Sequence, residues 1–255
     1  MATATSLLKS LIVPPASGQA PTATLIFAHG LGDSGAGWLD VAQLLSRRPA
    51  LRHVRFVLPN APVQPVTLNM GMSMPSWFDI HSLDDFEEHE DEAGLKKSAA
   101  AIGALVKAEV DGTAEGLNGR GVPVERVVVG GFSQGGAISY LYGLTASPSP
   151  AGIIGLSTWL PLHRKLPQLV STTAKDIPVF HGHGSRDPIV HYKYGQRSVE
   201  YLRGEAGVGM GEQRSASGGG KMRGVRFETY KGMPHSACPE EIEHVGQWLE
   251  RVVPE

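Results

Sequence analysis

The 255-residue chain reads as an α/β protein, a mostly parallel central sheet flanked by helices. Three observations predict this. Short apolar runs alternate with amphipathic stretches along the chain. The runs are rich in Val and Ile without polar alternation, which suits strands buried on both faces. Gly131-Phe132-Ser133-Gln134-Gly135 lies directly between one such run and a helical stretch. A G-x-S-x-G in that place is a sharp strand-to-helix turn that lifts a serine hydroxyl into the open.

Taken in chain order, residues 11–13 offer an edge strand, followed by strands at 24–28, 55–58 and 126–130. Residues 152–156, 178–180 and 225–230 complete the sheet. Helices fall between them. Trp38, Val41, Leu44 and Leu45 share one helical face, and Leu95, Ala99, Ile102 and Val106 share another. Residues 136–146 follow the serine turn. Ile242, Val245, Trp248, Leu249 and Val252 form the last stripe, and Pro239 before Glu240 and Glu241 makes a good first turn. Each stripe is read as core packing. Residues 111–122 and 204–224 are Gly-rich and polar, the second with Gly218-Gly219-Gly220, and are expected as flexible insertions. Residues 1–20 are expected to be partly flexible. Neither a repeat nor a linker divides the chain, so 1–255 is read as one domain without a large cap.

Composition narrows the function. A hydrophobic share of 41% supports a sizeable core, and a net charge of −2 gives no electrostatic case for nucleic acid. The single cysteine, Cys238, excludes an internal disulfide and fits a reducing compartment. Lys9, Pro14 and Pro15 interrupt the N-terminal apolar stretch too early for a signal sequence. No stretch reaches the ~20 apolar residues of a spanning helix. The expected location is cytoplasmic, with the nucleus as a further compartment.

A serine hydroxyl is a weak nucleophile at neutral pH and needs a base, which in turn needs an orienting carboxylate. After a turn of this kind the chain order is serine, acid, histidine, each at a strand's C-terminal end. His235 sits in Gly232-Met233-Pro234-His235, just after the last strand and before the final helix. His244 falls inside that helix at an expected surface position, and His181 and His183 belong to the preceding strand end. Asp187 follows that strand, whereas Asp176 precedes it and lies at the wrong end of the sheet. Ser133, His235 and Asp187 are therefore the candidate nucleophile, base and acid. An oxyanion hole would use the Gln134 N–H and one from the loop His29-Gly30-Leu31-Gly32-Asp33-Ser34-Gly35, with Leu31 as the second donor.

Two other chemistries fit less well. Gly30-x-Gly32-x-x-Gly35 matches a dinucleotide-loop spacing, but about 20 residues on, where a ribose-binding acid belongs, the segment 49–55 is basic. His181-x-His183 with His191 could supply imidazoles to a metal, but Asp187 is the only further ligand at convincing spacing. Neither a metal nor an organic cofactor is expected.

Six segments in one order carry a resemblance: residues 29–35, 66–79 (Val-Thr-Leu-Asn-Met through Met-Pro-Ser-Trp-Phe-Asp), Gly131-Phe-Ser-Gln-Gly-Gly136, Trp159-Leu-Pro, His181-Gly through Asp187-Pro, and Tyr230-Lys-Gly-Met-Pro-His235-Ser. Together they resemble the acyl-protein thioesterases of the phospholipase/carboxylesterase group of α/β-hydrolases, from about residue 24 to the C-terminus. The resemblance implies the α/β-hydrolase fold and a cytosolic serine hydrolase that removes S-palmitoyl groups from protein cysteines. It implies no cofactor. Acylated proteins or lipid esters would be the substrates, with transient contact to a membrane surface. Matching positions carry the nucleophile to Ser133, the acid to Asp187, the base to His235 and the oxyanion donors to Leu31 and Gln134. An apolar acyl channel would be bordered by residues 68–77, with Met70, Met72, Met74 and Trp77, and Trp159 is read with them as substrate-binding. Met-rich loops independently suit an adaptable apolar groove. With Cys238 its single cysteine, the chain lacks the N-terminal cysteine that some of these enzymes acylate. The rival readings are a carboxylesterase or lysophospholipase of broad ester specificity and a non-catalytic binding protein. Oligomeric state is not legible.

Overall fold

The computed structural model describes residues 7–83, 86, 88–204, 207–213 and 222–255. Its strands are β1 (Ser10–Val13), β2 (Ala23–Ala28), β3 (Val54–Pro59), β4 (Val63–Pro65), β5 (Ser73–Pro75), β6 (Val127–Phe132), β7 (Gly152–Leu156), β8 (Val179–Gly184) and β9 (Val225–Tyr230). Its helices are α1 (Leu39–Ser46), α2 (Glu92–Asp111), α3 (Gln134–Thr145), α4 (Leu166–Leu169), α5 (Tyr192–Arg203) and α6 (Pro239–Val252). Seven strands form one sheet in the order β1-β3-β2-β6-β7-β8-β9, and only the β1–β3 pair is antiparallel. The predicted fold class is borne out.

The period of two along each strand divides the core into two layers. Ile26, Val57, Val129, Ile153 and Val179 face one layer, which Ile102 of α2, Ile138 of α3 and Val199 of α5 complete. Leu25, Phe56, Val128, Ile154 and Phe180 face the other, against Leu45 of α1 and Trp248 of α6. Polar residues between the central strands would have no water to face, which explains the apolar runs of β2, β3, β6 and β7.

Beyond the short β4, β5 and α4, which the sequence reading did not include, four segments differ from it. β8 runs on through His181-Gly182-His183-Gly184, all buried, because the imidazoles find partners inside the protein. α5 was not foreseen. Its buried face mixes Tyr194, Val199 and Leu202 with Gly195 and Ser198, too polar for an apolar stripe. Residues 112–122 are tied to the end of α2 instead of projecting freely. Gly112 caps the helix at φ 72°, Val122 N–H bonds Glu109 O at 3.0 Å, and Leu117 is buried. In 204–224, Met210 is buried and Gln213 N–H bonds Val225 O at 3.1 Å, while Gly218-Gly219-Gly220 lies outside the described residues. The expectation for residues 1–6 lies outside them as well.

α6 buries a carboxyl group. Glu241 is wholly inaccessible, packed against Gly182 of β8, and neither carboxyl oxygen has a hydrogen-bond partner among the described residues. Burial raises its pKa to about 8. The unfolded chain loses this proton near its ordinary value of 4.5, whereas the folded protein keeps it to about pH 8. Stability therefore falls as pH rises across that window, by up to about 1.4 kcal/mol per unit of displacement. Glu241→Gln should flatten the decline between those limits and exceed the wild type at the alkaline end. Urea midpoints at several pH values check this, and parallel curves for the two proteins would refute it.

Candidate active site

The turn after β6 is under backbone strain. Ser133 has φ 52° and ψ −120°, a region that L-residues adopt only when their surroundings enforce it. Here they do. Ser133 N–H donates to Leu156 O of β7 at 2.9 Å, and Thr158 Oγ1 donates to Ser133 O at 2.7 Å. The flanking glycines make room: a Cβ on Gly135 would sit 2.1 Å from Ala28 O. Ser133 and α3 can thus press against the end of β2.

Asp187 and His235 reach the same place from β8 and β9. His235 Nδ1 lies 2.7 Å from Asp187 Oδ2. Asp187 Oδ1 accepts the Ile189 and Val190 N–H groups, both at 2.9 Å. Burial pushes the Asp187 pKa up, but hydrogen bonding and attraction from His235, with the two backbone donors, outweigh it and hold it below the usual value. The Phe132 ring packs on the His235 ring at 4.6 Å. Ser133 and His235 both open into a cavity of about 220 Å³. Its apolar wall includes Leu68, Ile80, Leu83, Phe86, Trp159 and Ile189.

His29 organises the neighbouring loop. The Ala61 N–H donates to His29 Nε2 at 3.0 Å, so that nitrogen carries no proton and Nδ1–H donates to Gly30 O at 2.7 Å. Burial lowers the His29 pKa and favours this neutral tautomer. Gly32 N–H bonds Pro75 O at 2.8 Å, which ties the loop to β5. Neither the Leu31 nor the Gln134 N–H donates to a protein acceptor among the described residues. A helix begins with unpaired N–H groups, and Gln134 is the first residue of α3.

The residues read as substrate-binding fall into different places. Trp159 lines the cavity. Trp77 does not: it is buried beneath, with its indole N–H on His29 O at 2.7 Å. The Gln134 side chain holds the same strip, accepting from Trp77 N–H at 3.1 Å and donating to Phe78 O at 2.8 Å. Met70 and Met72 are 87% and 54% exposed on the β4–β5 hairpin, outside the cavity lining. Met74 packs over Gly32. Sequence reasoning missed Ile80, Leu83, Phe86 and Ile189 as lining residues, since three apolar residues on the irregular β5–α2 connection and one after β8 leave no periodic signal. It also missed the tie from Thr158 to the serine turn.

A serine at a strained strand–helix turn, beside an imidazole–carboxylate pair on the next strand ends, defines an α/β-hydrolase. The chain belongs to the phospholipase/carboxylesterase family, whose model matches residues 11–253. It is 58% identical over 249 residues to acyl-protein thioesterase 1 of Mycosarcoma maydis, covering 98% of this chain and 99% of that protein. It is 49% identical over 244 residues to acyl-protein thioesterase 1 of Cryptococcus neoformans, covering 95% and 96%. Among solved structures it resembles Zea mays acyl-protein thioesterase 2, with a TM-score of 0.73 and 30% identity over 96% of this chain and 99% of that one. No helix among the described residues is long and apolar enough to cross a membrane.

Replacing Gln134 by Leu keeps the backbone N–H but leaves Trp77 N–H without its acceptor, while Phe78 O keeps the Ser76 hydroxyl at 2.6 Å. An unpaired buried group costs about 1–3 kcal/mol. Gln134→Leu should lower the unfolding free energy by about that much, read from urea titration. A change within ~0.5 kcal/mol, the range of ordinary surface substitutions, would show that the amide clamp is dispensable.

Proposed function

We propose that this hydrolase cleaves long-chain acyl thioesters from protein cysteines through a covalent acyl-enzyme. The observation that carries the reading is that His235, paired with Asp187 at 2.7 Å, lines the same largely apolar cavity as Ser133. The names of the relatives support the substrate class. His235 Nε2 takes the proton of Ser133 Oγ as the oxygen attacks the thioester carbonyl. The oxyanion rests on the Leu31 and Gln134 N–H groups. The C–S bond then breaks, and the thiolate leaves with the proton from His235. Water, deprotonated by the same imidazole, hydrolyses the Ser133 ester, and the proton returns to Ser133. Asp187 stays ionised throughout, fixes Nδ1–H as the donor and stabilises the imidazolium.

The cavity is smaller than the ~300–1,000 Å³ of pockets that swallow a ligand. A long acyl chain would enter with its carbonyl end and leave its tail across Leu68, toward exposed Met70 and Met72. Those methionines thus serve the substrate or its lipid surroundings at the mouth, not in the channel.

Initial rates of purified protein on a palmitoyl thioester and a matched palmitoyl oxygen ester test this. Faster thioester turnover is expected, abolished in Ser133→Ala and reduced ~10⁴-fold in Asp187→Asn, where the histidine adopts the wrong tautomer. Preference for the oxygen ester would make the protein a general esterase on the same residues, and wild-type rates in Ser133→Ala would refute the mechanism.

A further inference from the structure

Asp187 has more partners than hydrolysis uses, and they extend deep into the core. His183 is fully buried on β8, its Nε2 2.8 Å from Val190 O and 3.6 Å from Asp187 Oδ2. A carbonyl oxygen has no proton, so His183 Nε2 carries one and donates. Burial lowers the His183 pKa despite that bond, so the ring is neutral and Nδ1 is left as an acceptor. His181 Nε2 is 3.3 Å from that acceptor and must donate to it. Burial, with His183 beside it, lowers the His181 pKa well below the ordinary value, so this ring is neutral too and Nδ1 accepts. The Tyr140 hydroxyl, 2.8 Å away, is then the donor. Burial raises the tyrosine pKa, which keeps that proton in place.

Hydrogen bonds therefore run one way, from Tyr140 through His181 and His183 to Val190. The protonless carbonyl at the end decides every tautomer. The surroundings fit this arrangement. A Cβ on Gly195 of α5 would lie 2.4 Å from His183 Nδ1 and 2.9 Å from His181 Nε2, where the two rings join. The rings stack with centroids 5.6 Å apart and planes 11° from parallel. All three side chains are buried, so each would be costly to leave unpaired.

We infer that Tyr140, His181 and His183 are positioning residues, a buried relay that locks the turn at 187–190 and with it the Asp187 carboxylate against His235. Val190 is gripped from both sides: its N–H by Asp187 Oδ1 and its carbonyl by His183 Nε2. Cutting the relay at its far end frees the His183 ring to turn, and Val190 and Asp187 with it. The inference rests on the assignment of Ser133, His235 and Asp187 proposed above.

The test combines three variants with one spectrum. Tyr140→Phe and His181→Phe keep the rings and remove the hydrogen bonds. Each should lower kcat about tenfold with KM unchanged, less than the ~10²-fold that a 1 Å misplacement can cost. His181→Gln offers one amide that can accept from Tyr140 and donate to His183 Nδ1, and should restore kcat. In wild-type protein, ¹⁵N NMR of the imidazoles should show His181 and His183 neutral, both protonated at Nε2. Folded Phe variants with wild-type kcat, or a proton on His183 Nδ1, would overturn the relay. Should a variant fail to fold, the wild-type spectrum decides. An inactive wild type would refute the hydrolase assignment while leaving that spectrum to judge the hydrogen-bond chain.

Discussion

Everything at the site depends on holding one residue in a conformation it would not choose. The backbone of Ser133 costs about 1–3 kcal/mol relative to a relaxed one. Its constraint is spread across the sheet. Ser133 N–H binds the last residue of β7, Ser157 N–H binds Gly182 O of β8, and Ser185 N–H binds Tyr230 O of β9. Each strand end is thus pinned to the next one out. The turn that exposes the serine, the turn that carries Asp187 and the segment that leads to His235 are linked by backbone bonds before any side chain meets another. Parallel order makes this possible, because it brings successive C-terminal ends to one edge.

Side chains then set the charge. Asp187 is kept anionic by the hydrogen bond and attraction of His235 and by two backbone N–H donors, and among the described residues no lysine or arginine pairs with it. Three buried histidines of the site and the core behind it are neutral for a common reason. His29, His181 and His183 each have a buried ring whose proton is aimed by a neighbour's fixed polarity. Fixed dipoles in a site shielded from water act more strongly than in solution and need no rearrangement when charge develops. His235 is the imidazole left facing the cavity.

The sheet was legible because burial on both faces leaves mostly apolar residues in β2, β3, β6 and β7, with Thr24 and Arg55 the buried exceptions that pair with Glu109, and α6 because its stripe is wide. The positions of Ser133, Asp187 and His235 were legible for a topological reason: sequence order places each after a different strand, and parallel strands deliver all three to one edge. What stayed hidden depends on pairing across long separations. The extension of β8 could not be read from His-Gly-His-Gly, which looks like a loop until the imidazoles are seen to bond one another. α5 was hidden because its buried face keeps Gly195 and Ser198, one leaving room for those imidazoles and the other bonding the Leu160 N–H. Trp77 was read as a channel residue because the family resemblance places residues 68–77 along an acyl channel. Only the fold shows that its N–H is spent on His29.

β8 shows why such a site resists simplification. Its alternating histidines and glycines present opposite characters to its two faces. Toward α5 stand the imidazoles, and toward α6, beyond Phe180, the glycines leave room, so Glu241 can approach Gly182. An all-apolar strand would pack both faces more stably, since a neutral buried carboxyl without a partner and two buried imidazoles each carry a desolvation cost. Yet the turn after this strand must present Asp187 in one orientation, and an apolar face offers nothing to hold a carbonyl such as that of Val190 at a fixed angle. Hydrogen bonds supply direction where packing supplies only contact. The polar core of β8 is therefore best understood as stability given up for orientation at the strand's end, the exchange expected wherever a fold must fix a buried charged group on a turn.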